Sequence, residues 1–351
     1  MTDLRTGLST GTCAAAAAKA AVLMLCGKEV PERIQIALPD AEQVDLPLAF
    51  ARKCEGCAEA GVQKDAGDDP DITHGALITV AARWTEENDV SFAAGKGVGT
   101  VTLPGLPVPP GEPAINPVPR KMMRFAVREV TDRGVCLTVS IPNGRDLAQK
   151  TFNPKLGIVG GLSILGTTGR VRPFSAEALE SSLICALKVS RGTGVRAPVL
   201  VPGHMGRRAA LRHFVLSPRQ VVEVSNFWKA MLRTAETLDF ERVLILGHPG
   251  KLAKLAQSHW NTHSSHSKSA APWVRETLEG ILGEPVEDLP TVEGLFAALP
   301  RQVRQTAACA VAEQVRAAVI RKTAGRFAVA VALIDMAENI LGTAGDTTPW
   351  R

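Results

Sequence analysis

No tyrosine occurs among the 351 residues, and aromatic side chains make up only 4% of them. Single-stranded nucleic acid is held by rings interleaved with lysine and arginine, so a stacking platform of that kind is excluded and no nucleic-acid partner is expected. Long apolar runs are missing as well: none reaches the ~18 uninterrupted residues of a membrane span. The alanine run Ala14 to Ala18 and the apolar stretch after it are broken by Lys19, and Arg5 is the only basic residue before them. That pattern is not a signal peptide. The seven cysteines are odd in number and scattered from Cys13 to Cys309, which does not make a disulfide framework and points to a reducing cytoplasm.

What is present is enough apolar material, 45% against 21% charged residues, to build the cores of two ordinary domains. A formal charge of +5 is mild and favours anionic small molecules over neutral ones. The pattern predicts a helix over 12–26 with Thr12 as its cap and Gly27 as its stop, then strands over 33–38, 76–84 and 135–141. Between 95 and 120 runs a tract dense in glycine and proline, read as loop or edge structure. From about residue 150 strands alternate with helices: strands over 157–165, 195–201, 220–225 and 242–247, helices over 175–190, 226–238 and 249–259. From Trp273 onward the chain reads as helices, including 326–341. The expected fold is therefore an α+β domain over 1–150 followed by an α/β domain over 151–345 with a mainly parallel sheet and C-terminal helices. Its strands end in GTTG, PGHMG, SN and GHPG, which should share the sheet edge where doubly wound folds take ligands.

The turn Gly166-Thr167-Thr168-Gly169 supplies small residues between a predicted strand and a helix opening near Ser175. It lacks the lysine of a phosphate loop and the spacing of a dinucleotide fingerprint, so it reads as a cradle for some other group or as a bare tight turn. Asp65, Asp68, Asp69 and Asp71 crowd into seven positions without the spacing of a calcium loop. His259, His263 and His266 fall at i, i+4 and i+7, a spacing that could aim three imidazoles from one helical face at zinc or cobalt. Cys54 and Cys57 form a single CxxC pair, open to a redox role or to none. His204 and His248 each stand beside glycine after a predicted strand.

Taken in order, RTGLSTGTCAAAAAKAA, KDAGDDPDITHG, the Gly/Pro tract, IPNGRDLAQKTFNPKLGIVGGLSILGTTGRVRPFS, and GHPGKLAKLAQ followed by NTHS resemble one family, the cobalt-precorrin-5B C(1)-methyltransferases or CbiD proteins. The likeness runs from about Leu4 to about Ser264; SSHSKS then departs from the family pattern. The resemblance implies methyl transfer from S-adenosylmethionine to ring carbon C-1 of an anionic tetrapyrrole, with no protein-bound metal. It implies a substrate-binding first domain and a donor-binding second one. On it, Gly166, Thr167, Thr168, Gly169 and Gly247 would hold the donor, and Asp68, Asp69 and His248 would serve the chemistry. Thr10, Asp65, Asp71, Arg120, Lys155, Arg172, Asn261 and His263 would contact the macrocycle. A homodimer and handover to other corrin-pathway enzymes are compatible with it. A tetrapyrrole carrier without catalysis, and a metal hydrolase built on the three histidines, are the competing expectations.

Overall fold

The computed structural model describes residues 4–173 and 175–351. The chain divides into two compact units, Met1–Glu177 and Ala178–Arg351. Residues 151–177 therefore pack with the first unit.

The first unit runs β1 (Gly7–Leu8), α1 (Thr10–Leu25), β2 (Arg33–Ala37), β3 (Gln43–Pro47), β4 (Phe50–Cys54), β5 (Cys57–Gln63), β6 (Leu77–Trp84), β7 (Val90–Ala94), β8 (Thr100–Val101), α2 (Pro117–Arg128), β9 (Val135–Ser140), α3 (Gly144–Ala148), β10 (Ile158–Val159) and β11 (Arg170–Val171). Its main sheet has the order β4-β5-β6-β9-β7, antiparallel except for the β7/β9 pair. α1 is the unit's central rod, packed against β5, β6, α2 and the β2–β3 hairpin. Ala14 to Ala18, Ala20 and Ala21 are all essentially inaccessible. Alanine suits this position because it favours helix and lets neighbours approach the backbone from every side. The cap is Ser9, not Thr12: Ser9 Oγ accepts the Thr12 N–H at 3.1 Å.

The segment 157–165 is not a strand of the parallel sheet. Gly157 and Gly160 adopt φ of 71° and 91°, which interrupts a continuous ladder: Ile158–Val159 pairs antiparallel with β8 inside the Gly/Pro tract, and Leu162 and Ile164 make single parallel bridges to Val98 and Ile115 of that tract. The tract itself also contains the start of α2, because proline at the first helical turn gives up an N–H that has no helical partner.

The second unit runs α4 (Ala176–Gly192, whose first two residues lie before the division), β12 (Val199–Val201), α5 (His204–His213), β13 (Val221–Glu223), α6 (Trp228–Thr237), β14 (Arg242–Gly247), α7 (Pro249–Ala256), α8 (Ala271–Leu282), α9 (Val292–Ala298), α10 (Arg301–Lys322), β15 (Ala328–Ile334) and β16 (Ile340–Ala344). Its sheet order is β13-β12-β14-β15-β16, the first four parallel and β16 antiparallel. Val199, Val201, Leu244, Leu246, Ala330 and Ala332 pack in one cluster, and the alternate residues Leu200, Val243, Ile245, Val331 and Leu333 are buried too. Cover on both faces turns the strands into continuous apolar runs.

The predicted helix over 326–341 is a hairpin of strands. AVAVALI offers no polar face, and its alternating Val and Ala fit a strand buried on both sides, while Asp335 Oδ1 accepts the Asn339 N–H at 2.7 Å and closes the turn to β16. Helices α8 to α10 do occupy much of the C-terminal portion, but two strands follow them.

Candidate functional site

Three loops meet at the C-terminal edge of the parallel sheet. Gly203 follows β12 and starts α5, with no side-chain cap; at φ 174° it is extended, and no heavy atom lies within 4 Å of where its Cβ would stand. Ser225 and Asn226 follow β13, and Gly247-His248-Pro249-Gly250 follows β14. A Cβ on Gly247 would stand 2.8 Å from Pro202 Cδ, so the β12 and β14 ends approach closely there. The strand order places this point where connections leave in opposite directions, the usual crevice of an open α/β sheet.

His248 caps α7. Its Nδ1 accepts the Gly250 N–H at 3.0 Å, so in the neutral ring Nε2 carries the proton and donates to Glu293 Oε2 at 2.8 Å. Both ring nitrogens are committed, which makes the imidazole a fixed wall rather than an open base. Beside it, Asn226 Oδ1 accepts from Lys251 Nζ at 2.9 Å and from Thr262 Oγ1 at 3.1 Å, tying the NTHS loop to the edge. Burial first, then nearby Lys254, pushes the Lys251 amine down. Lys254, itself buried, donates to Ser267 Oγ at 2.9 Å and to Thr262 O at 3.2 Å. His204, at the start of α5, is exposed and 3.5 Å from Glu223.

The residues between α7 and α8 form loop, not helix, which overturns the three-imidazole face expected of His259, His263 and His266. Asn261 Oδ1 accepts the His263 N–H at 3.1 Å, and His263 Nδ1 lies 2.7 Å from Ser265 Oγ. Among the described residues no group of three His, Cys, Asp or Glu side chains is arranged to hold a metal ion.

The GTTG turn belongs to the first unit and is followed by β11, which pairs with β1; the strand-turn-helix geometry expected of it is not formed. Its carbonyls serve α1 instead. Gly11 N donates to Leu165 O at 2.8 Å, Ser9 N to Gly169 O at 2.8 Å and Thr12 Oγ1 to Gly169 O at 2.6 Å, so the chain around the turn satisfies donors that a helix start leaves open. Thr10 joins in: its Oγ1 accepts the Leu165 N–H at 2.8 Å. Thr167 and Thr168 are exposed.

The acidic loop packs against the same helix start. Asp65 accepts both arms of the Arg5 guanidinium and the Gly67 N–H at 2.9 Å; the Arg5 bond first and the Gly67 bond next hold its carboxyl down to about 2. Asp71 accepts from Lys64 Nζ, Thr73 N and Thr73 Oγ1, each at 2.7 Å. Burial opposes ionisation of Asp71, yet these bonds outweigh it and its carboxyl lies below the usual range. Lys64 is only 2% exposed. Asp68 Oδ2 accepts the Arg5 N–H at 2.6 Å on an exposed side chain, and Asp69 is half-buried. Arg120 is a strut of the Gly/Pro tract: it donates to Ile115 O at 2.8 Å and Pro113 O at 3.1 Å and pairs with Glu112 at 2.7 Å. Lys155 lies 5.6 Å from the Phe152 ring centre, and Arg172 is exposed.

The sequence-predicted residues thus fall into two groups. Thr10, Asp65, Asp68, Asp69, Asp71 and the GTTG turn surround the start of α1, while Gly247, His248, Asn261 and His263 belong to the second unit. Glu293 and Lys251 are not singled out in the sequence, and Asn226 enters there only within the SN ending of its strand. Asn226 had a signal in its place after a strand; Glu293, 45 positions beyond His248, had none.

An open, mainly parallel sheet with glycine-bordered histidine loops at its C-terminal edge is an α/β architecture of the kind whose edge crevice commonly takes small molecules. Residues 1–173 match the CbiD family. The chain is 52% identical over its whole length, and the whole of the relative, to a protein of Syntrophotalea carbinolica named cobalt-precorrin-5B C(1)-methyltransferase. A second protein of that name, from Ralstonia nicotianae, is 42% identical over 97% of this chain and 94% of its own. A crystal structure of a cobalamin biosynthesis protein (cbiD) from Archaeoglobus fulgidus is 30% identical, covering 74% of this chain and 82% of that one, with a TM-score of 0.39. The chain belongs to the CbiD family. No helix among its described residues is long and apolar enough to cross a membrane, and a cavity of about 250 Å³ in the second unit lies at the opposite, N-terminal strand edge, beside Arg242, Arg316, Phe327 and Trp350.

Proposed function

We propose that the chain methylates ring carbon C-1 of cobalt-precorrin-5B, or its metal-free counterpart, in cobalamin biosynthesis, with S-adenosylmethionine as donor, in the cytoplasm. The observation that carries the reading is identity of 52% over the full length of a protein bearing that activity in its name. The donor assignment is supported by the crevice edge of the second unit. There the start of α5 at Gly203 has no side-chain cap and no atom crowding it, which suits the methionine carboxylate, and Gly247 and His248 bound the same edge. S-adenosylmethionine, when bound, supplies an activated methyl group. The chain's own work is then to hold and orient, since correct placement alone removes much of such a barrier. His248, fixed through Gly250 and Glu293, acts as a positioning residue.

For the macrocycle, the exposed Thr167, Thr168, Lys155 and Arg172 of the first unit are the candidate contacts, and Asp68 and Asp69 the candidate carboxylates for a ring N–H. Thr10, Asp65, Asp71 and Arg120 support them by fixing the loops. Homodimers and handover of the product to a following enzyme are compatible with this role. Incubation with S-adenosylmethionine and enzymatically prepared cobalt-precorrin-5B, with and without cobalt, tests the reading: the product gains one methyl group by mass. Tight tetrapyrrole binding with no methyl gain would leave a carrier in its place.

A further inference from the structure

We propose that Cys54 and Cys57, at the tip of the β4–β5 hairpin, form a reversible dithiol–disulfide site that is closed by a low-molecular-weight disulfide and reopened by a thiol. The CxxC motif has no part in methyl transfer as derived above. Cys54 and Cys57 are register partners across the two-residue turn Glu55-Gly56. Opposed residues of an antiparallel pair hold their Cα atoms about 4.5–5.5 Å apart, inside the window of about 4.4–6.8 Å that a disulfide requires. Gly56 takes the turn's positive φ of 68°, and no heavy atom lies within 4 Å of its would-be Cβ, so the tip is open to reagents. Cys54 is exposed and Cys57 half-buried.

Its register partner Cys57 first, with lesser help from burial, pushes the Cys54 thiol up to about 11. The remaining cysteines have no such neighbour on their own element. Cys13, in α1, is buried and pushed up to about 12 by that burial, and Cys136, in β9, is buried too. Cys26, Cys185 and Cys309 sit singly at the end of α1, in α4 and in α10.

The chemistry balances as two exchanges. One hairpin thiolate attacks a sulfur of the small disulfide, forming a mixed disulfide and expelling one small thiolate. The opposite thiol then loses its proton and attacks the hairpin sulfur of that mixed disulfide, closing the Cys54–Cys57 bond and expelling the second. The protein loses two electrons and two protons, and the small disulfide becomes two thiols. Closure cross-links adjacent strands at the turn end of the edge strand β4.

Oxidised glutathione on the full-length protein, followed by acid quench, alkylation and peptide mapping, tests this. The expected result is a Cys54–Cys57 peptide lacking two hydrogens, restored by dithiothreitol, while Cys57→Ser carries a stable glutathione adduct on Cys54. Wild-type protein that keeps the adduct on either hairpin cysteine, or leaves both free while another cysteine reacts, overturns the proposal. The wild-type result decides even if the variant folds poorly.

Discussion

Two turns that look alike in the sequence, Gly166-Thr-Thr-Gly169 and Gly247-His-Pro-Gly250, end in opposite roles. The second follows a parallel strand and starts the helix it precedes, with its own His248 as cap. The first follows an irregular segment and closes over the start of a helix more than 150 residues away in sequence, its Gly169 carbonyl oxygen turned to both Ser9 and Thr12. What a small-residue turn does is decided by the strand that leads into it. Local composition supplies only the permission for backbone to come close.

The sharpest way to break this comparison is to put a side chain on each kind of glycine. Gly166 stands at φ 136°, and its Cβ would come 2.1 Å from Ser9 Oγ. We predict that Gly166→Val costs on the order of 3 kcal/mol or more, read as a large fall in the thermal midpoint; an unchanged midpoint would return the turn to the status of a free cradle. Next in size is Asp71→Asn, which leaves buried Lys64 without its anion. About 2 kcal/mol is expected, at the modest end because Asp71 is partly exposed, and chemical denaturation measures it. The double change Asp68→Asn with Asp69→Asn should instead lower methyl transfer with little change in stability; the parental rate would remove these carboxylates from the site.

Ser9→Ala tests the helix start from the other side and should cost about 1 kcal/mol, the usual worth of an N-cap. Gly203→Ala should stay within about 0.5 kcal/mol of the parent, because its backbone is extended and its surroundings open, yet weaken donor binding by calorimetry. Smallest is the pH effect at Asp65. Its folded value of about 2 lies below the ordinary 3.8, so the stabilisation is fully present above 3.8 and fades as pH falls through about 2. Arg5→Ala should move the carboxyl back toward the ordinary value in an NMR titration and flatten that acid limb.

The parallel sheet was legible because β12, β13 and β14 are short apolar runs ending in small or polar residues, and their order along the chain follows the usual alternation with helices. β15 was misread for a physical reason: a strand buried on both faces and a buried helix share one composition, and length settles it only when the turn after Asp335 is seen. α2 hid behind Pro117 and Pro119, which sit at the start of a helix as comfortably as in a loop. At the site, the edge loops with Gly247 and His248 could be read. Glu293 could not, since a hydrogen bond across 45 positions leaves no periodic trace. Nor could the tie between Leu165, Gly169 and α1, which depends on where two distant segments fold rather than on what either contains.

The alanine spindle of the first unit carries one more lesson. A rod whose neighbours press on its backbone from all sides has no direction in which to absorb an added methyl, so Ala16, Ala17 and Ala20 should tolerate even Val or Ser far less readily than the larger core residues Leu137 or Ile78 tolerate exchange for one another's kind. In a saturation scan this helix would stand out as the least forgiving stretch of the molecule, though it contains the plainest letters in the chain.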